Sequence, residues 1–382
     1  MNPRTDRRRF LASSAGLALA LAGCGNNRRA APPSSHATVN CGRWAMPPEE
    51  SRHVATWMCW PSSKAVWGKA LADVQAAIAR VAVTIAGYEP VKMLARPAEA
   101  DRVRALLADA DAQVVDGPVD DLWARDTLPL FLVSTDSADD VPLAAGRLHF
   151  NGWGGKQIHD GDTQLAEIVA DHLGIPLVDS HLTGEGGGLE NDGHGTILAA
   201  RSSWVNDNRN PGMTEREIAR RLRDLLGADR LIWVDGLAGA DITDSHIDTL
   251  ARFANVGRIV LGQPSYIQPG EKWYDLAVAT KNTLQAANTE NGHRYAFTTL
   301  VEPKTPRGKG DAFLSSYVNY YVCNGAVIAP SFGDTAADRA AASALRRLFP
   351  SREVIQVDID AIAEGGGGIH CATQQQPSLE TT

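Results

Sequence analysis

Residues 91–115 read VKMLARPAEADRVRALLADADAQVV. Val91–Leu94 and Gln113–Val115 are short apolar runs with strand character, and Ala98–Ala110 between them repeats its apolar residues at helical spacing. Strand, helix and strand in so short a span make the unit of an α/β fold. The pattern recurs outward in both directions. Helical periodicity marks Lys69–Gly87, Thr163–Leu173, Thr214–Leu226, Tyr274–Asn288 and Ala336–Leu348. Strand-like runs fall at Pro129–Val133, Ile197–Ala200, Leu231–Val234, Arg258–Leu261, Arg294–Leu300, Val327–Pro330 and Glu353–Val357. Thr214 and Glu217 carry the signature of a capping box, which fixes the start of one helix. Alternation without a break in composition predicts one α/β domain. Its modules, roughly five of about 60–70 residues, point to internal repetition.

The chain has 382 residues, 44% hydrophobic and 21% charged, which excludes an intrinsically disordered protein and allows a large core. A net charge of −8 argues against a nucleic-acid partner. Nine tryptophans are candidates for pocket walls. The first residues are not part of the fold. Arg7-Arg8-Arg9-Phe10-Leu11, a short apolar run and Leu21-Ala22-Gly23-Cys24 have the charged start, apolar middle and small-residue end of a secretory signal. The arginine pair before Phe10 resembles a twin-arginine export signal, and Leu21–Cys24 resembles a lipobox, in which Cys24 is acylated. A plain secretory signal with a chance cysteine is the alternative. The expected organisation is a signal at 1–23, a tether at 24–45 and a domain at 46–378. The product is then an exported lipoprotein, periplasmic or membrane-anchored, that meets the membrane only through its lipid. Removing the signal's four arginines and one aspartate takes the net charge to −11. Of the other cysteines, Cys41, Cys59, Cys323 and Cys371 are too widely spaced for a disulfide framework. Cys59 and Cys323 read as buried small hydrophobes.

Arg307–Asp311 lacks the spacing of a phosphate loop, and Gly365–Gly368 is not followed by the helix a dinucleotide site needs. His246, Asp248 and His370 contain the residue types of a two-histidine, one-carboxylate iron site, but such sites belong to all-β barrels rather than to this alternation. No metal is expected. What remains is a thiol, a histidine and carboxylates on glycine-rich turns. Cys371 follows four glycines and a histidine, a setting in which a thiol can become a nucleophile. His246 titrates in the range a general acid or base needs. Asp126 and Asp248 are paired carboxylates, suited to a planar guanidinium. By residue type alone, the same residues could equally be hydrogen-bonded loop residues.

At these positions the chain resembles the agmatine deiminase and bacterial peptidylarginine deiminase family, within the guanidino-group-modifying penteins. The matching stretches are Trp57–Pro61, Trp123–Pro129, Phe150–Lys156, Glu185–Gly188, Asn208–Pro211, His246–Phe253, Ser316–Asn319 and Gly365–Pro377. The resemblance implies a five-bladed α/β propeller with pseudo-fivefold repeats and an axial site. It implies Cys371 as nucleophile and His246 as acid/base. Asp126 and Asp248 become the guanidinium ligands, Trp123 and Trp153 the walls, and Asn319 a support for the thiolate. Glu185 could face the substrate or bond loop amides, and the structural part is the one expected. No cofactor is required. The implied reaction turns a guanidino group into a ureido group and ammonia, with agmatine as the expected small-molecule substrate. Peptidylarginine or arginine, or a noncatalytic solute-binding lipoprotein, are the alternatives. One departure bears on the choice: Ile242 interrupts the acidic run Asp241–Asp244 that is denser in the family.

Overall fold

The computed structural model describes residues 42–379. The signal at 1–23, Cys24, Cys41 and the tether up to residue 41 lie outside the described residues. Each expected helix forms, as Leu71–Ala86, Pro97–Leu106, Leu165–Leu173, Glu215–Leu226, Lys272–Ala286 and Thr335–Leu348. The physical reason is visible in Leu71–Ala86, which buries Val74, Ile78, Val81, Ala82 and Ile85 along one stripe. Each fully buried valine or isoleucine there contributes about 1.5–3 kcal/mol. The capping box also forms: Thr214 Oγ1 accepts the Glu217 amide while Glu217 Oε2 accepts the Thr214 amide at 2.9 Å. The helix it opens ends at Gly227, whose φ of 63° is the left-handed conformation that glycine adopts without penalty.

The strands form five separate small sheets. Leu130–Ser134, Leu143–Arg147 and Leu177–Asp179 build one, with Trp44–Ala45 added at its edge. These two residues, expected at the end of the tether, are thus already part of the sheet, and Trp44 is buried. The next three sheets are Leu189–Asn191 with Thr196–Ala200 and Arg230–Val234; Ala251–Asn255 with Arg258–Gln263 and Ala296–Val301; and Tyr321–Cys323 with Ala326–Ser331 and Glu353–Asp358. The fifth joins the ends of the domain: Gln374–Pro377 pairs antiparallel with His53–Cys59, which runs parallel to Val91–Ala95 and Ala112–Asp116. Every sheet contains the same unit, an antiparallel pair followed by a parallel pair. A parallel pair needs a crossover, and one helix of nine or more residues lies in each of these connections.

Most of the tryptophans serve the core rather than a pocket. Trp57, Trp60 and Trp204 are among the largest fully buried side chains. Cys59 and Cys323 are buried and free, as their apolar surroundings led one to expect.

The repetition positions the site. Asp126 lies just before the strand at Leu130, Glu185 before Leu189, and His246 and Asp248 before Ala251. Asn319 lies before Tyr321, and Cys371 before Gln374. Each of these residues therefore sits on the segment entering the antiparallel pair of one sheet.

Candidate active site

Ala124–Thr127 is a single helical turn, and it is tied to the cysteine loop by the Arg125 amide donating to Cys371 O at 3.0 Å. The buried Arg125 side chain anchors the turn through Gln375 Oε1 at 2.8 Å and Glu49 Oε2 at 3.2 Å. The next residue, Asp126, accepts the Gly187 amide on Oδ1 and the Trp153 indole N–H on Oδ2, both at 3.0 Å. Trp153 adopts φ 55°, a left-handed conformation that costs a non-glycine residue about 1–2 kcal/mol. The indole hydrogen bond and an edge-to-face contact with Phe150 at 4.9 Å offset that cost. Trp123 is fixed differently, its Nε1 donating to buried Asp121 at 2.9 Å beside Trp67, which donates to the other oxygen at 2.7 Å.

On the facing side, Cys371 Sγ lies 3.2 Å from Asn319 Nδ2 and 3.5 Å from Asp248 Oδ2. Asn319 also donates to Asp248 Oδ2 at 3.2 Å and accepts the Cys371 amide at 3.3 Å. His370 Nδ1 meets the same Asp248 oxygen at 2.8 Å. The other oxygen, Asp248 Oδ1, is buried and has no hydrogen-bond partner among the described residues. A buried carboxylate oxygen without a donor is costly, and it marks where a ligand can supply one. His246 Nε2 stands 3.3 Å from Glu185 Oε2, and Nδ1 stands 3.8 Å from Asp126 Oδ1.

Gly187 shows where these groups converge. A Cβ placed on it would lie 2.6 Å from His246 Nδ1, 2.9 Å from Asp126 Oδ1 and 3.2 Å from Asp248 Oδ2. The missing side chain leaves that space open.

The electrostatics follow from five ionisable groups, Asp126, Glu185, Asp248, His246 and Cys371, crowded into this buried volume. Burial pushes the Asp126 carboxyl up to about 6, helped by Glu185 and Asp248 and opposed by His246. Burial works against the charged imidazole of His246, yet Asp126, Glu185 and Asp248 hold it up at about 9. Burial, Asp248 and Asp126 raise the Cys371 thiol well above its ordinary value, so the resting sulfur carries its proton and donates it to Asp248. A cation beside the sulfur reverses that field.

Cys371, His246, Asp126, Asp248, Trp153 and Asn319 thus come together, and Trp123 flanks the cysteine loop, where a Cβ on Gly367 would strike its ring at 2.1 Å. Glu185 differs from its expected part. It accepts Arg209 Nε at 2.7 Å on one oxygen and faces His246 with the other, so it orients the imidazole rather than bonding loop amides. The carboxylates around Ile242 are spent on bonds within the fold. Asp241 accepts the Thr243 and Ser245 amides, and Asp244 takes Lys156, Asn208 and Arg209. Ile242 packs against the core that includes Trp123 and Trp153. The iron-site alternative finds no support in the geometry: among the described residues, three ligand atoms converge only at His149, Asp179 and His181. His370 is instead spent on Asp248. The residues missed at the sequence level are Gly187, Glu49 and Arg125, whose parts depend on contacts between segments far apart in the chain; adjacency to Cys371 was the one available signal for His370.

A buried thiol, an imidazole held cationic and two carboxylates around a space left by a glycine define a hydrolytic enzyme for a planar cationic group. The chain belongs to the Porphyromonas-type peptidyl-arginine deiminase family, whose model matches residues 45–377. It is 33% identical over 367 residues to an agmatine deiminase of Pseudomonas aeruginosa, covering 89% of this chain and 97% of that one. Its mixed α/β fold is that of the Enterococcus faecalis agmatine deiminase (TM-score 0.80, 24% identity, 87% and 96% of the two chains). A C. jejuni agmatine deiminase with substrate bound is similar as well (TM-score 0.78, 22% identity, 88% and 96%).

Proposed function

We propose that this protein is an agmatine deiminase, converting agmatine and water to N-carbamoylputrescine and ammonia. The observation that carries the reading is the open space at Gly187, bounded by His246, Asp126 and Asp248, with the thiol of Cys371 on the same Asp248 oxygen. The relative in Pseudomonas aeruginosa supports the choice of substrate. The five sheets, each with a candidate residue at the entry to its antiparallel pair, support a five-bladed α/β propeller with the site at its axis.

In this reading Asp126 and Asp248 grip the guanidinium, one of whose N–H groups fills the vacant Asp248 Oδ1. Trp123 and Trp153 wall the pocket. The arriving cation lowers the thiol pKa, and the S–H proton leaves through Asp248 to solvent. The thiolate adds to the guanidinium carbon, forming a C–S bond and a neutral tetrahedral adduct. The His246 imidazolium gives its proton to one NH2, the C–N bond breaks, and ammonia departs. A cationic amidino-thioether remains. Neutral His246 then takes a proton from water, whose oxygen adds to the carbon. The C–S bond breaks with its electron pair returning to sulfur, and the O–H proton passes to solvent, leaving the ureido product. Every group in these steps is a side chain of this chain.

Agmatine, free arginine and a peptide ending in arginine, each assayed for ureido product and ammonia, test the substrate. The highest kcat/KM on agmatine is expected. Preference for the peptide would replace this reading with a peptidylarginine deiminase, and binding without turnover on any of the three would leave a solute binder.

The pH dependence has a worked sign. Binding needs Asp126 ionised, so kcat/KM rises with pH through about 6; expulsion of ammonia needs His246 protonated, so it falls again through about 9. A stopped assay between pH 5 and 10 checks the two limbs. Asn319→Ala removes the donor at the sulfur, and kcat is expected to fall about 100-fold, as for loss of one donor to a developing anion. For the export reading, labelled palmitate is expected on the wild-type chain and absent from Cys24→Ala.

A further inference from the structure

One buried polar group beside the nucleophile takes no part in these steps. His370 precedes Cys371 and is 2% exposed. Its Nδ1 lies 2.8 Å from Asp248 Oδ2, and its Nε2 lies 2.9 Å from Glu49 Oε2. A neutral imidazole has one N–H, so one nitrogen would then turn a lone pair toward a carboxylate oxygen. Both contacts are hydrogen bonds only if the ring carries both protons or a carboxylate carries one. The carboxylates have other reasons to stay ionised. Glu49 also receives Arg252 Nη2 at 2.9 Å, Arg125 Nη2 at 3.2 Å and the Val322 amide at 2.8 Å. The proton therefore belongs on the ring.

We propose that His370 is a positioning residue for deimination: an imidazolium strapped between Glu49 and Asp248 that keeps Asp248 ionised and turned with Oδ1 toward the substrate. It rests on the reading of Asp248 as a guanidinium ligand. The charged neighbours agree with it. Asp248 faces His370, His246, Arg252, Asp126 and the Cys371 thiol. Burial opposes its charge, and the hydrogen bond and charge of His370 lead those that hold it below the usual carboxylate range, ahead of His246 and Arg252. His370 itself faces Glu49 and Asp248, with Glu190 at 3.9 Å from Nε2; Arg125 Nε donates to its carbonyl at 3.4 Å. Glu49, despite the cost of burial, is held low by Arg252, His370 and Arg125. The strap thus ties a residue at the start of the domain to the nucleophile's loop at its end.

The test separates charge from shape. In His370→Asn the amide can replace the Nδ1 donor, but it carries no charge and does not reach Glu49. The kcat/KM of this variant is expected to fall about 100-fold, the loss residing in KM. Its acid limb, set in the wild type by Asp126, is expected to steepen and extend upward, because Asp248 becomes a second carboxyl that must lose its proton before substrate binds. Glu49→Gln shifts both in the same direction by less. A purely structural role would lower thermal stability and leave the acid limb in place. A second readout needs no activity. In the 15N spectrum of histidine-labelled wild-type protein at neutral pH, one imidazole absent from the His370→Asn spectrum is expected with both nitrogens protonated. A neutral ring in that spectrum overturns the proposal, as does a His370→Asn variant with wild-type KM and acid limb. Failure of the agmatine reading would appear separately, as no turnover by the wild type, and the spectrum then decides alone.

Discussion

Cys371→Ala is expected to leave a folded protein that binds a guanidinium and does not turn it over. The sulfur is the atom that bonds to carbon in both halves of the proposed reaction, and no other thiol among the described residues approaches it, Cys59 and Cys323 being packed in the core. Loss of a nucleophile that works together with its acid/base typically costs about a million-fold in kcat, so ammonia release is expected to fall to background. Asp126, Asp248 and His246 keep their partners, because Gly187, Trp153, His370, Asn319 and Glu185 hold them without the sulfur. Calorimetry is therefore expected to show agmatine binding close to that of the wild type. Deimination retained by the alanine variant would remove Cys371 from the mechanism.

Gly187→Ala is the second large effect, and it replaces no ionisable group. The added methyl would sit 2.6 Å from His246 Nδ1 and 2.9 Å from Asp126 Oδ1, in the space proposed for substrate. Gly187 does not adopt a left-handed φ, so alanine brings no backbone strain. The imidazole or the carboxylate must move aside, and a misplacement of about 1 Å costs roughly 100-fold. A fall of about 100-fold or more in kcat/KM with little change in melting temperature is expected. Wild-type activity in this variant would mean that the substrate lies elsewhere.

The helices were legible because each buries one stripe at helical spacing, as Val74, Ile78, Val81 and Ile85 do. Of the strands that enter the sheets beside the site, Leu130–Ser134 was legible as Pro129–Val133, and the others were not. Leu189–Asn191 and Tyr321–Cys323 have three residues each, too few for a period to register. Gln374–Pro377 opens with three polar side chains and yet is buried. It is held by bonds the sequence cannot display: Gln375 to Arg125, Gln376 to Trp57 and Gln374 to the Pro129 carbonyl. The candidate residues stood out because glycines flank them, and residue type spoke for their chemistry. Their partners did not stand out. Glu49 reads as an ordinary acidic residue near a Pro-Pro pair, and only folding sets it against His370, Arg125 and Arg252. Ile242 interrupts an acidic run whose Asp241 and Asp244 accept backbone amides of their own loop, bonds the sequence does not display.

The central claim is that the Cys371 sulfur forms a covalent bond to the guanidinium carbon before water does. Acid quenching during steady turnover of agmatine, followed by peptide mass spectrometry, measures this directly. The expected result is a modification on the peptide containing Cys371 whose mass is that of agmatine less ammonia, absent from Cys371→Ala. Ureido product forming at full rate with Cys371 unmodified at every quench time, or the adduct on another residue, would contradict it.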